Sequence, residues 1–138
     1  MERFMNKRLE KSLQLPLHKH LGIDHMASSK GKGSLDFMVK DHLINATGVL
    51  HGGVVYALLD VCAYAGLISV LADDQDAVTH DIHVSVMRPA RQGDQVFMES
   101  NILKLGRTLC FIDVSAHVQG KIIARATITK SLIKRNAR

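Results

Sequence analysis

Between residues 78 and 86, apolar Val78, Ile82, Val84 and Val86 alternate with polar Thr79, Asp81, His83 and Ser85. That period of two belongs to a strand with one buried face. Residues 94–104, 108–118 and 121–133 also read as strands. The compact turns Leu105-Gly106-Arg107 and Gln119-Gly120-Lys121 separate them, as antiparallel hairpins require. Upstream, residues 21–28 and 33–40 flank a Lys30-Gly31-Lys32-Gly33 turn and make two more strands. The run from Val54 to Leu71 behaves differently: it is apolar except for Asp60 and Ser69. This predicts a helix over about 53–71, apolar on all sides and so wrapped by other structure. Asp73, Asp74 and Gln75 end it, and the polar, glycine-rich residues 41–53 form a loop before it. Near the N-terminus, Met5, Leu9 and Leu13 recur at helical spacing until Pro16, giving a short amphipathic helix within 1–16.

The order is short helix, two strands, one buried helix, four strands. It predicts an α+β fold in which an antiparallel sheet of about six strands wraps one long central helix. Without strand–helix–strand alternation, a Rossmann-type parallel sheet is excluded. The 138 residues suit one domain over 1–138, with 133–138 read as a fraying basic tail. A membrane span at 54–71 is rejected because a carboxylate near its middle costs roughly 3 kcal/mol on insertion.

Composition narrows the partners. With 46% apolar and 22% charged residues, the chain has the balance of an ordinary globular protein. A net charge of +5 permits nucleic acid, an anionic membrane or a phosphorylated small molecule. Two Tyr, four Phe and no Trp argue against the stacking surfaces of single-strand binders. Lys and Arg thicken only from Lys130 to Arg138, which reads as a solvated terminus. Cys62 and Cys110 sit in apolar runs and read as buried thiols of a reducing compartment. The first fifteen residues carry no apolar h-region. The expectation is a cytoplasmic protein with no nucleic-acid or membrane partner.

Chemistry concentrates in Asn45-Ala-Thr-Gly-Val-Leu-His51-Gly52-Gly53-Val-Val-Tyr-Ala-Leu-Leu-Asp60. Gly52 and Gly53 open the buried helix, where N–H groups lack intrahelical acceptors and the dipole is positive. Two glycines let a ligand approach that backbone, which suits a carbonyl oxygen that becomes negative during attack. Asp60 follows about two turns later as the only charge between His51 and Asp73. A buried carboxylate needs a partner or a task. On the helix pattern alone, a structural Asp bonded to a neighbouring strand stands beside a catalytic one.

The spacing N-x5-HGG-x6-D, the strand Thr79-His-Asp-Ile-His-Val-Ser-Val-Met-Arg-Pro-Ala90 and the later Leu105-Gly106-Arg107-Thr108 resemble the PaaI-type branch of the hotdog-fold acyl-CoA thioesterases. The similarity runs from about residue 20 to residue 132. It implies hydrolysis of an acyl- or aryl-CoA thioester to a carboxylate and free CoA. Gly52 N–H would polarise the carbonyl. Asp60, reaching across from a partner subunit, would be nucleophile or general base. Asn45 and His51 would flank the carbonyl and the leaving sulfur, and Thr79 would stand where relatives carry a water-orienting hydroxyl. A semi-buried Asp suits such a base, since burial disfavours the charged form.

The turns holding Arg88 and Arg91, and Lys104, Gly106, Arg107 and Thr108, resemble the places where this family holds the nucleotide of coenzyme A, with Gly53 beside the substrate. Arg binds phosphate by paired hydrogen bonds, although each cation alone also reads as solubilising charge. No cofactor is expected, because coenzyme A enters as part of the substrate. His80 and His83, three apart on a strand, point to opposite faces. Neither they nor His18 and His20 come with a third ligand, so no metal is expected. A helix apolar all round and an open sheet edge imply a two-fold dimer pairing 78–86 across its axis, with a tetramer beyond it. The alternative is a hotdog acyl-CoA binding or sensing protein without turnover, favoured had Asp60 been Ala or Asn. A hotdog hydratase is the third reading, and its D-x-N-P-x-H pattern is absent.

Overall fold

A computed structural model describes residues 2–135 and the side chains from Lys7 onward. Met5's side chain and residues 136–138 of the basic tail therefore lie outside the described residues. The elements follow as α1 (Glu2–Gln14), α2 (Pro16–Leu21), β1 (Ile23–Ser29), β2 (Lys32–Met38), a 3₁₀ turn (Asp41–Leu43), α3 (Gly52–Ile68), β3 (Gln75–Val86), β4 (Gln95–Leu105), β5 (Leu109–Val118) and β6 (Lys121–Lys134). The strands form one antiparallel sheet in the order β1-β2-β4-β5-β6-β3. The six strands and the one long helix are those the alternation predicts.

Several boundaries differ. α3 ends at Ile68, ahead of the Leu71 expected, and Gln75, expected to end the helix, opens β3 three residues before Val78. Pro16 does not return the chain to a strand but opens α2, because proline at the first helical position gives up an N–H that has no acceptor there anyway. Gly22 then ends α2 in the left-handed region at φ 80°, and β1 begins only at Ile23. At the other end β6 continues through Lys134, past the start expected for the tail.

α3 lies across the inner face of the sheet. Its Leu58, Leu59, Cys62 and Leu67 are fully buried against Phe37, Met98, Ile112 and Ile128 from the strands. Each such side chain contributes about 1.5–3 kcal/mol by leaving water. Both thiols are free, and burial pushes that of Cys62 up to about 12. The helix sits closest to β2 where Gly33 faces Gly66. A Cβ on Gly33 would lie 2.4 Å from the Gly66 nitrogen and 2.7 Å from Ser100 Oγ, and that Oγ donates to the Cys62 carbonyl at 2.7 Å. Gly33→Ala is expected to cost about 2–3 kcal/mol, a Tm lower by roughly 6–10 °C in a thermal melt; an unchanged melt would show that α3 can move off β2.

Among the described residues β3 hydrogen-bonds only to β6, leaving its twelve residues as an open edge. Its register with β6 steps between Thr79 and Asp81, a bulge at His80. The extra residue reverses the phase of the alternation. Thr79, expected to face away from the apolar set of Ile82 and Val84, instead pairs with Lys130 and reaches Asp60, while Val78 is half exposed. The same bulge voids the argument that His80 and His83 must point to opposite faces. Among the described residues, no helix is long and apolar enough to cross a membrane.

Candidate active site

The loop before α3 is built around Asn45. Its Oδ1 accepts from Thr47 N, Thr47 Oγ1 and Val49 N at 3.0, 2.9 and 3.1 Å. An Asx-type turn of this kind replaces backbone pairing in a loop, and Gly48 completes it at φ +85°. The bridge between Ile44 and Leu50 closes the loop, and Leu50 N–H donates to the Ala90 carbonyl at 2.8 Å. Asn45 and the Arg88–Ala90 segment thereby line one cavity with the helix start.

His51 caps α3. Its Nδ1 accepts the Gly53 N–H at 2.9 Å, so the neutral ring carries its proton on Nε2. A Cβ on Gly53 would meet that ring at 3.1 Å. Gly53 therefore serves the cap, and its N–H is taken. The Gly52 N–H is different: among the described residues no hydrogen bond uses it, and the space beside its Cα is open. Gly52 lines a cavity of about 350 Å³ with Asn45, Tyr56, Met87, Arg88 and Pro89, among others. A free donor at a positive helix end is suited to a developing oxyanion.

Asp60 lies eight residues along the same helix, about 12 Å by helical rise. It lines a second cavity of about 390 Å³ with Tyr64, Asp76 and Lys130, roofed by Arg8, Lys11, Ser12, Leu15 and His18 from the N-terminal helices. Thr79 Oγ1 donates towards both Asp60 oxygens, each at 2.8 Å. Lys130 Nζ donates to Asp60 Oδ1 at 2.8 Å and to Thr79 Oγ1 at 2.9 Å. The carboxylate thus has the partners on neighbouring strands that the helix pattern left open beside a catalytic role. Lys130 does not belong to a solvated terminus, being buried on the inner face of β6. Tyr64, one turn beyond Asp60, donates to Asp76 Oδ1 at 2.8 Å. Burial first, and then Asp76, push its phenol up to about 12.

The segment that forms this helix start and its flanking strands is also the segment a family shares. Residues 47–125 match the thioesterase superfamily. The chain belongs to that superfamily. It is 32% identical over 111 residues to human acyl-coenzyme A thioesterase 13, covering 78% of this chain and 77% of that one. The phenylacetic acid degradation protein PaaI of Thermus thermophilus superposes with a TM-score of 0.76 at 25% identity, covering 84% of this chain and 97% of that one. A Streptococcus mutans protein bound to acetyl CoA superposes at 0.73 with 26% identity, covering 83% and 90%. The protein is therefore a thioester hydrolase with the hotdog fold.

Not every residue singled out in the thioesterase sequence comes together. Asn45, His51, Gly52 and Arg88 cluster at the start of α3, and Asp60 and Thr79 meet two turns away. Arg107 lines a separate cavity with Asp74, Gln75 and Leu132. Val86 pairs with Ala124 whereas the Thr108 carbonyl accepts from Leu132 N, eight residues further along β6. Arg88 and Arg107 thus lie roughly 27 Å apart within one chain. Lys104 and Thr108 are exposed near Arg107. Gly106 donates its N–H to the Leu109 carbonyl at 2.8 Å, and a Cβ there would lie 2.9 Å from that oxygen. The turn itself accounts for this glycine and consumes the donor a phosphate would need. Lys130 is the residue that sequence reasoning missed. Its signal was the alternation Ala124, Ala126, Ile128, Lys130, which places it on the buried face.

Proposed function

We propose that the protein hydrolyses acyl- or aryl-CoA thioesters in sites shared between two chains. The Gly52 N–H of one chain and the Asp60 carboxylate of the other act on the same thioester. The separation along α3 carries this reading. A base and an oxyanion donor must each come within about 3 Å of one reacting carbonyl or its water. Two groups 12 Å apart on one rigid helix do not.

Pairing β3 with β3 of a second copy, antiparallel about a two-fold axis, supplies the geometry. The start of one strand, near Asp60 and Thr79, then meets the end of the other, near Gly52 and Arg88. It also covers the open edge and the exposed Val78, Val86 and Met87, which a lone monomer would leave as an aggregation hazard. The exposed Phe97 and Phe111 on the far side of the sheet offer a surface on which two dimers form a tetramer.

In the reaction, Asp60 takes a proton from water as the oxygen attacks the carbonyl carbon. Alternatively, its own oxygen attacks, and water then hydrolyses the mixed anhydride. The Gly52 N–H holds the oxyanion, the C–S bond breaks, and the CoA thiolate departs beside the Nε2–H of His51 and the amide of Asn45. The same dimer brings Arg88 of one chain towards Lys104, Arg107 and Thr108 of the other, giving the nucleotide phosphates cations from both.

Kinetics of two substrates test the CoA assignment. Arg88→Ala and Arg107→Ala are each expected to raise KM for the CoA ester by roughly 5- to 20-fold. They should leave hydrolysis of a short thioester lacking the nucleotide within about twofold, since Gly52 and Asp60 are untouched. Equal losses on both substrates would assign the arginines to the fold, and no loss on either would place the phosphates elsewhere.

A further inference from the structure

We propose that Lys130 is a positioning residue for Asp60, fixing the direction of the carboxylate and compensating its charge while leaving lone pairs of Oδ2 open to the reacting water. The proposal rests on the reading of Asp60 as base or nucleophile.

Lys130 stands on β6 after Ala124, Ala126 and Ile128, all buried on the inner face of the sheet. Its side chain is 5% exposed whereas that of Asp60 is 32% exposed. An ammonium there is retained only with partners, and a buried ion pair is weak grounds for stability because apolar residues of like volume often do as well. The geometry points to another use. Lys130 donates to both Asp60 Oδ1 and Thr79 Oγ1. The ammonium fills a lone pair of the Thr79 hydroxyl, so its single proton is turned towards Asp60. Oδ1 then receives the ammonium and shares the hydroxyl, whereas Oδ2 receives only the hydroxyl. Oδ2 keeps lone pairs open, and the partly exposed member of the pair is the carboxylate.

Other charged or titratable groups around the cavity are Arg8, Lys11 and His18 from the N-terminal helices, Tyr64 from α3, Asp76 from β3 and Arg135 after β6. Among the described residues only Lys130 makes an ion pair with Asp60. Without the ammonium the carboxylate loses the contact that fixes its direction, and misplacement by an ångström costs up to ~100-fold.

The test compares kcat and KM of Lys130→Met, Lys130→Arg and Asp60→Asn, using whichever acyl- or aryl-CoA ester the unaltered protein hydrolyses fastest. For Lys130→Met, kcat is expected to fall roughly tenfold with KM within about twofold. Lys130→Arg keeps the cation and should recover most of the lost kcat. Lys130→Gln carries the same expectation as Lys130→Met if the latter fails to fold by circular dichroism. A folded Lys130→Met or Lys130→Gln with the parent kcat overturns the proposal, as does a loss that appears in KM and not in kcat. Asp60→Asn separates the two claims: if it retains turnover, the reading of Asp60 fails; if it is inactive while the folded Lys130 variants keep the parent kcat, only the role of Lys130 fails.

Discussion

Asp60→Asn is expected to lose at least about 100-fold in kcat while binding the CoA ester nearly as before. The amide matches the carboxylate in shape and still accepts from Thr79, but it cannot take a proton from water or form an anhydride. The substitution also leaves the Lys130 ammonium buried without its counter-charge. Breaking a fully buried pair costs about 3–5 kcal/mol, and less at a site whose carboxylate is a third exposed. The variant should therefore melt earlier than the parent protein. Adding Lys130→Met should restore much of that stability but none of the activity. Steady-state turnover, ester binding by calorimetry and thermal melts of the two variants check all three expectations. Unchanged turnover in folded Asp60→Asn would assign the chemistry to another carboxylate.

The expectation for Asp60 draws on a part of the site that was legible from the start. Two glycines after His51 mark the helix start where the Gly52 N–H has no partner among the described residues. A lone Asp two turns on marks a charge within an apolar run, which the structure leaves a third exposed. The alternation of 94–104, 108–118 and 121–133 likewise places the sheet to within a residue or two. What escaped were features set by contacts distant in sequence. The bulge at His80 becomes visible only against β6, and without it Thr79 is assigned to the wrong face. Charge density groups Lys130 with the tail, whereas the phase of the strand turns it inward. In a half-buried strand the phase decides, since one inward lysine must find a partner. The resemblance assigns Gly106 to the nucleotide, whereas the tight turn to Leu109 accounts for it. Turn residues such as Arg88 and Arg107 carry no sign in the sequence of which end of the sheet they occupy; the structure puts them at separate cavities.

Gly52→Pro is the complementary large effect. Gly52 is the first residue of α3, where proline is tolerated and only an N–H without an intrahelical acceptor is lost. His51 before it is already extended, at φ −61° and ψ 130°, as a residue preceding proline must be. Outside its chain neighbours and the helix's own backbone, nothing lies within 4 Å of a Cβ built on Gly52. The fold should survive while the oxyanion donor is gone, costing on the order of 100- to 1,000-fold in kcat. Each variant alone is then nearly inactive, for different reasons.

Co-expressing Gly52→Pro with Asp60→Asn tests whether the site is shared between chains. In a mixed dimer, one site joins proline to asparagine, and the other joins an intact Gly52 to an intact Asp60. With random pairing half of the dimers are mixed, and each holds one working site of two, so turnover should recover to about a quarter of the parent value. Purification through two different tags should raise that to about half. Mixed dimers with no more activity than either variant alone would contradict a shared site, as would a fully active species sedimenting at the 15.2 kDa of one chain.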